Sequence, residues 1–336
     1  MALESSCDET AAAIVKDGRI VLSNVIHSQI ALHKQYGGVV PEAAAREHIL
    51  SVNACIDEAL ESAGVSLKEI DAFAATLGPG LVGSLLIGSN AAKTLSFLTQ
   101  KPFLGVNHLY GHVASNFLES DLKPPFLCLL VSGGHTQLIH VEDYNQMSIL
   151  GETLDDAVGE AYDKVARLMD LPYPGGPNLD QLAQTSEADV LAFSLPKAKT
   201  QQPFDFSFSG LKTAALRTYE AAVSSLPENA TPQALASLQA NMAASFQHTV
   251  VQTLLEKALA CARHLELNTI AIAGGVSANQ GLRKAFQAQE GFQIYLPKMA
   301  FCTDNAAMIA SSAFFNPIST SLETEVFSRS LASKSA

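Results

Sequence analysis

The sequence predicts a duplicated α/β protein, and three observations carry that prediction. Residues 2–22 read as apolar strand, small polar turn and second strand, and residues 126–141 repeat that design around Ser132-Gly133-Gly134-His135. Residues 70–98 read as strand, glycine turn and long apolar helix, and residues 269–288 repeat this second design. The two designs occur in the same order in each half, which one α/β domain used once does not explain.

In chain order, the first turn is Ser5-Ser6-Cys7-Asp8-Glu9-Thr10, followed by a strand Ala11–Val15 and the turn Asp17-Gly18. A helix is expected over Pro41–Gly64, a strand over Ile70–Thr76, and a buried helix over Leu81–Leu98 after Gly78-Pro79-Gly80. Strands follow at Phe126–Val131 and Thr136–Val141, and helices at Asp155–Met169 and Pro232–His264. Pro172-Tyr173-Pro174-Gly175-Gly176-Pro177 is expected to be a non-helical loop. Residues 194–212, with Phe204, Phe206 and Phe208, are expected to be irregular. After strand Thr269–Ala273 and the turn Gly274-Gly275, a helix should begin near Ser277, and the Ser- and Thr-rich tail beyond Asn316 should fray.

Glycine at four such turns lets backbone approach a ligand closely, and its N–H groups can cradle phosphate oxygens. A helix beginning after a glycine turn adds the positive end of its dipole. A single turn of this kind is usually only a tight connection; four in a repeated order indicate an actin-like (ASKHA) fold, two lobes around a ligand cleft. The expected lobes are residues 1–120, with a C-terminal helix at 304–316 packing back on them, and residues 121–303.

Composition narrows the class. The 336 residues carry 21 Lys and Arg against 33 Asp and Glu, a formal charge of −12, which excludes an all-round basic nucleic-acid binder. With 48% hydrophobic and 16% charged residues the chain has the balance of a folded protein with a large core. The five cysteines are scattered without a CxxC pair, arguing against a Cys-based zinc site and for a reducing compartment. Ser84, Ser89, Asn90 and Lys93 interrupt the most apolar stretch, so no membrane span is expected and the protein is read as cytoplasmic.

His108 and His112 in Asn107-His-Leu-Tyr-Gly-His are the strongest chemical signal. On a helix, spacing i, i+4 puts both imidazoles on one face, as two ligands of one metal require. Asp304, in Phe301-Cys302-Thr303-Asp304-Asn305, is the expected third ligand. Two His and one carboxylate suit Fe(2+), with Zn(2+) as the alternative; surface or capping histidines are the competing reading. A zinc-protease reading fails, because Leu109, Tyr110 and Gly111 supply no general base between the histidines. Asp8 and Glu9 are catalytic candidates, able to hold a phosphate-bound cation or orient a nucleophile. Asp163 and Asp180 flank the Gly175-Gly176 loop and could accept hydrogen bonds from ligand hydroxyls or amines. Asn279, expected in the first turn of the last motif helix, could point into a ligand. For each of these residues a helix cap or a solvated carboxylate is the competing reading.

Taken together the motifs resemble the TsaD family. The matching stretches are SCDET (6–10), YGGVVPE (36–42), GPGLVGSLLIG (78–88), NHLYGHVAS (107–115), LVSGGHTQLI (130–139), GEAYDK (159–164), YPGGP (173–177), DFSFSGLKT (205–213), AGGVSAN (273–279) and FCTDNAAMIA (301–310). The resemblance implies a metal-dependent transferase that moves a threonylcarbamoyl group from threonylcarbamoyl-AMP to N6 of the tRNA adenosine 3′ of the anticodon, releasing AMP. It implies His108, His112 and Asp304 as metal ligands. It implies Leu130, Val131, Ser132, Gly133, Gly134, Asp163, Gly176, Asp180 and Asn279 as substrate-binding positions. It also implies the TsaB paralogue and the ATPase TsaE as partners. Two departures stand out: only Met1-Ala2-Leu3 precede the first motif, so the first strand should be short, and the Ser-rich tail keeps only Arg329 and Lys334 where a basic-aromatic ending is usual.

The rival readings are an actin-like small-molecule kinase or carbamoyltransferase, which leaves the spaced histidines unexplained, and a silent scaffold, which leaves the intact motifs unexplained. Charge is uneven in a way that suits tRNA. Residues 1–150 hold 8 basic and 15 acidic side chains, whereas residues 190–336 hold 11 and 9. Lys197, Lys199, Lys212 and Arg217 face only Asp205 within 191–219, which marks that stretch as the expected RNA-facing surface.

Overall fold

The computed structural model describes residues 1–186 and 192–329, which form two compact units. One comprises residues 1–124, 141–147 and 297 onward, the other residues 125–140 and 148–296.

In the first unit, β1 (Ala2–Glu4), β2 (Glu9–Lys16) and β3 (Ile20–Ser28) are followed by a short α1 (Ile30–Lys34) and the long α2 (Pro41–Ala63). Then come β4 (Phe73–Gly78), α3 (Val82–Thr99), β5 (Phe103–Asn107) and α4 (His108–Ala114). The sheet order is β3-β2-β1-β4-β5. β1 is indeed only three residues long, yet it is central, antiparallel to β2 (Leu3 opposite Ala12) and parallel to β4 (Leu3 opposite Ala75). Helix α2 starts with Pro41, whose missing N–H costs nothing in a first turn, and ends at Gly64, whose left-handed φ of 66° closes the C-cap.

Helix α3 departs from expectation. It was expected to be buried, but it turns Ser84, Leu85, Gly88, Ser89, Ala92 and Ser96 inward, while Leu86, Phe97 and Leu98 are exposed. The reason is close approach: a Cβ on Gly88 would lie 2.5 Å from Ser5 Oγ, so small side chains are what fit against the first turn.

The second unit contains β6 (Phe126–Val131), β7 (Thr136–Asp143), β8 (Gln146–Glu152), α5 (Val158–Leu168), α6 (Gly175–Ala183), α7 (Ser209–Ser224), α8 (Pro232–His264), β9 (Thr269–Ala273), α9 (Gln280–Gln287) and β10 (Gln293–Tyr295). Its sheet order, β10-β9-β6-β7-β8, is that of the first sheet, with β6 in the place of β1 and β9 in the place of β4. The duplicated α/β fold class is therefore realised strand for strand. A core of Leu127, Leu129, Tyr162, Phe206, Phe208, Phe246, Leu254, Ile270 and Phe286, among others, lies under this sheet.

Three local expectations are corrected. Gly175-Gly176-Pro177 is not loop but the first turn of α6, where proline is tolerated because its missing N–H has no intrahelical partner there. The helix expected from Ser277 begins at Gln280; a 3-10 turn over Gly275–Ala278 intervenes, and Asn279 is the N-cap of α9. Residues 317–329 do not fray. Thr320 N donates to Phe103 O at 3.0 Å, Phe327 N donates to Leu77 O at 2.8 Å, and Val326 and Phe327 pack on the first-unit core. Residues 330–336 lie outside the described residues. The final helix, α10 (Ala306–Phe315), packs on β1, β2 and α4 within the first unit.

Candidate functional site

Helix α4 begins directly at the end of β5, with Asn107 capping it through a 2.9 Å bond from Leu109 N. That junction fixes His108 and His112 on one face, ring centroids 4.6 Å apart. Asp304 sits in the loop before α10, beside the capping Asn305, and enters the same space. Its Oδ1 lies 3.5 Å from His108 Nε2 and 3.3 Å from His112 Nε2. These three are the one group of His, Cys, Asp or Glu ligands among the described residues whose donor atoms converge within 4.8 Å.

The spacing fits a metal ion. Ligand atoms roughly 2.1 Å from a tetrahedral or octahedral ion stand roughly 3.0–3.4 Å from one another. The hydrogen bonding fits as well. His108 Nδ1 faces Glu4 Oε2 at 3.3 Å and Ser6 Oγ at 3.2 Å, so a neutral ring carries its proton there. Its Nε2 lone pair then confronts the Asp304 carboxylate, acceptor against acceptor, and only a cation between them resolves the conflict. Without a metal that cation is a proton. Burial lowers the affinity of His108 for it, but Asp304 and Glu4 outweigh burial and raise its pKa to about 9. Burial raises Asp304 in turn, and the two histidines outweigh it, bringing the carboxyl down to about 2. His112 Nδ1 is buried with no hydrogen-bond partner among the described residues. The Asp304 side chain is 21% exposed, against 11% and 2% for the histidines, so the cluster opens on the carboxylate side.

Glu4 is a residue that sequence reasoning missed. It is 1% exposed and accepts bonds from Ser6 N and Thr76 Oγ1, both at 2.5 Å, besides facing His108. Its signal was present, since a carboxylate inside an otherwise apolar strand needs a partner. Glu9 heads β2, with Ser28 Oγ donating to it at 3.1 Å. Burial, then Asp8 and Asp304, push its carboxyl up to about 9. Asp8 is nine-tenths buried in the preceding turn, its carbonyl accepting from Gln29 N.

The predicted substrate positions all fall in the second unit. Leu130 and Val131 end β6, and Ser132 starts a turn closed by His135 N on its own Oγ at 3.0 Å. Gly133 and Gly134 are exposed, and a Cβ on either would meet nothing within 4 Å. The turn is instead crowded from behind. A Cβ on Gly274, at φ 87°, would lie 2.4 Å from Val131 O, and one on Gly159 would lie 2.7 Å from Ser132 O. Asp163, on α5, accepts from Gly176 N at 3.0 Å and so anchors the start of α6. Burial raises its pKa, and bonds from the Gly176 and Gly175 amides offset only part of that rise. Asp180, further along α6, and Asn279 are both 8% exposed, and Gln247 of α8 bridges them, donating to Asp180 Oδ1 at 2.9 Å and accepting from Asn279 Nδ2 at 2.8 Å. Asn279 Oδ1 is occupied as the cap of α9, accepting from Leu282 N at 2.8 Å.

In the expected RNA-facing stretch the charge is less than the sequence count. Lys197 pairs with Glu256 at 2.5 Å and Lys212 with Asp156 at 2.8 Å, while Lys199 and Arg217 are exposed.

Fold and site together define an actin-like α/β protein with a two-histidine, one-carboxylate cluster. Among solved structures it is similar to full-length HypF, with a TM-score of 0.60 at 13% identity over 94% of this chain and 46% of that one. It is likewise similar to component A of the (R)-2-hydroxyglutaryl-CoA dehydratase of Acidaminococcus fermentans, with a TM-score of 0.52 at 15% identity over 94% and 95%. Residues 20–311 match the TsaD family, described as tRNA N6-adenosine threonylcarbamoyltransferase, and the chain belongs to that family. Curated proteins of that name from Picosynechococcus sp. and Clostridium kluyveri are 52% and 48% identical to it. The first match covers 93% of this chain and 88% of the relative, the second 94% and 91%. Among the described residues no helix is long and apolar enough to cross a membrane.

Proposed function

We propose that this chain transfers a threonylcarbamoyl group from threonylcarbamoyl-AMP to N6 of the tRNA adenosine 3′ of the anticodon. The observation that carries the reading is the convergence of His108, His112 and Asp304 in a chain that matches the TsaD family over residues 20–311. The donor is a mixed carbamic–phosphoric anhydride. N6 attacks its carbonyl carbon, the bond from that carbon to the phosphate oxygen breaks, and AMP leaves with the electron pair while N6 loses a proton. AMP is a good leaving group, so no strong general acid is needed.

His108, His112 and Asp304 would hold one divalent ion, Fe(2+) by the ligand set and Zn(2+) as the alternative. Bound there, it would supply Lewis acidity toward donor oxygens. The chain's own groups do the rest in this reading. Amides of Gly133 and Gly134 meet negative charge on phosphate and carbonyl, where preorganised donors lower the barrier; the Ser132 amide is used within the turn, donating to His135 O at 2.8 Å. Asp163, Gly176, Asp180 and Asn279 complete the donor site. Asp8 and Glu9 are the candidates for taking the N6 proton; the raised carboxyl of Glu9 keeps its own proton at neutral pH, so Glu9 would accept only after passing that proton on. The partners in this scheme are tRNA, the TsaB paralogue and the ATPase TsaE, in the cytoplasm.

The test is incorporation of labelled threonine into tRNA with ATP, bicarbonate and the partner proteins. The wild type should label tRNA and His112→Ala should not, with metal content falling in parallel. Full activity in His112→Ala would refute the ligand assignment. Phosphorylation or carbamoylation of a small molecule without tRNA labelling would favour the kinase or carbamoyltransferase alternative.

A further inference from the structure

Gln247 is an uncharged side chain buried in α8, 7% exposed, and no motif of the sequence singles it out. Its surroundings leave one way to orient it. A carboxylate can only accept, so the group facing Asp180 Oδ1 at 2.9 Å must be the amide nitrogen. The carbonyl end then faces Asn279 and accepts from Nδ2 at 2.8 Å. That orientation sets Asn279 in turn: with Nδ2 donating to Gln247, Oδ1 is left to cap α9 through Leu282 N. The Asn279 amide also bonds the phenol of Tyr162. On the other side, Asp180 Oδ2 accepts from Gln280 N at 3.0 Å.

One amide thus fixes two residues that the proposed function places against the donor, and it holds the Asp180 carboxylate as a pure acceptor. A second feature shows that the chain keeps room for it. A Cβ on Gly281 would lie 2.6 Å from Gln247 Nε2 and 3.3 Å from Asn279 Oδ1. Gly281 lies within α9, and its φ is not in the left-handed region, so helix geometry does not ask for glycine there. The space is used by the Gln247 amide.

We infer that Gln247 is a positioning residue of the donor site, orienting Asp180 to accept hydrogen bonds from ligand hydroxyls and locking Asn279 in its capping orientation. This rests on the proposed reading of Asp180 and Asn279 as substrate positions. Two variants separate it from a merely structural role. Gln247→Met keeps the length of the side chain and removes both bonds. Gly281→Ala leaves Gln247 in the sequence but pushes its flexible end aside, and it gains helix propensity.

The measurement is calorimetric titration of the full-length protein with AMP and with 2′,3′-dideoxy-AMP, which lacks both ribose hydroxyls. The wild type should bind AMP more tightly than the dideoxy form. In both variants AMP affinity should fall about tenfold, the scale of one buried group left unpaired, and the preference over the dideoxy form should shrink toward unity. The thermal midpoint of Gly281→Ala should not fall below wild type. A preference retained in both variants, with or without a change in thermal midpoint, would overturn the inference. If Gln247→Met does not fold, Gly281→Ala decides alone. Failure of the wild type to bind AMP would overturn the donor reading itself and this inference with it, an outcome separable because it appears without any substitution.

Discussion

A single carboxylate shows how residue-level chemistry sets up the metal cluster. Glu4 donates nothing to the three-ligand group, yet it decides which nitrogen of His108 points at Asp304. Partners of this kind, standing behind a ligand, commonly govern metal affinity by 10–100-fold. Glu4→Gln should therefore weaken metal binding by roughly that range, read by competition with a chelator, because an amide that keeps its oxygen on Ser6 N turns its NH2 group toward His108 Nδ1 and Thr76 Oγ1. At the same scale the sequence was legible in part. The i, i+4 spacing of His108 and His112 needs only helix geometry, whereas Asp304, almost two hundred residues away, was placed by resemblance to the family and by residue type. Glu4 carried only the general signal of a carboxylate in an apolar strand, which names no partner, and Gln247 carried none, because nothing local distinguishes a buried polar side chain with a distant partner from one without.

Elements matter through their junctions. β9 leads into Gly274, whose positive φ and closeness to Val131 O admit no side chain, so the glycine here is a packing requirement. Gly274→Ala should destabilise the protein by about 2 kcal/mol or more, from left-handed strain plus the displaced β6 end, measured by urea unfolding. The loop before α5 supplies a second case. Asp156 accepts from Lys164 at 2.9 Å and Lys212 at 2.8 Å, tying α5 to α7. Burial raises its carboxyl, and the two lysines more than reverse that. A lowered folded-state pKa gives stability that is present above the unfolded value of ~3.9 and lost as pH falls through the folded value. Asp156→Asn should therefore cost about 1 kcal/mol near neutrality, with the difference from wild type vanishing below pH ~4. The element errors share one cause: Pro177, Ser277 and the tail were judged by local propensity. The first turn of α6 and the docked residues 317–329 depend on hydrogen bonds to groups farther off in the chain, and the start of α9 is held by Gln247 and Asp180 through Asn279 and Gln280.

For the whole molecule, metal and RNA are the two tests. If the cluster holds a resident ion, chelation should lower the thermal midpoint, since an ion bound only to the folded state stabilises it by mass action; an unchanged midpoint would speak against a resident ion. For tRNA, the ion pairs of Lys197 and Lys212 move the expected contact to Lys199 and Arg217. Replacing both of the latter with Ala should weaken tRNA binding and reduce the slope of log affinity against log salt by up to roughly two. Lys197→Ala should change it little, because its charge is already matched by Glu256.

The sequence by itself determined the duplicated α/β class, strands β1, β2, β4, β6, β7 and β9, the long helices at 41–63 and 232–264, and the pairing of two histidines on one helical face; the remaining strands and the order of both sheets came from the structure. These follow from periodicities of two and 3.6 residues and from glycine and proline chemistry, which act over a few neighbours. Tertiary structure alone decided which small face of α3 turns inward, which nitrogen of His108 is left for a cation, and that Gln247 joins Asp180 to Asn279. Those outcomes depend on donors and acceptors brought together from residues 4, 108 and 304, or from 180, 247 and 279. Burial makes an unmatched partner costly at such meetings, and no local pattern encodes where they occur.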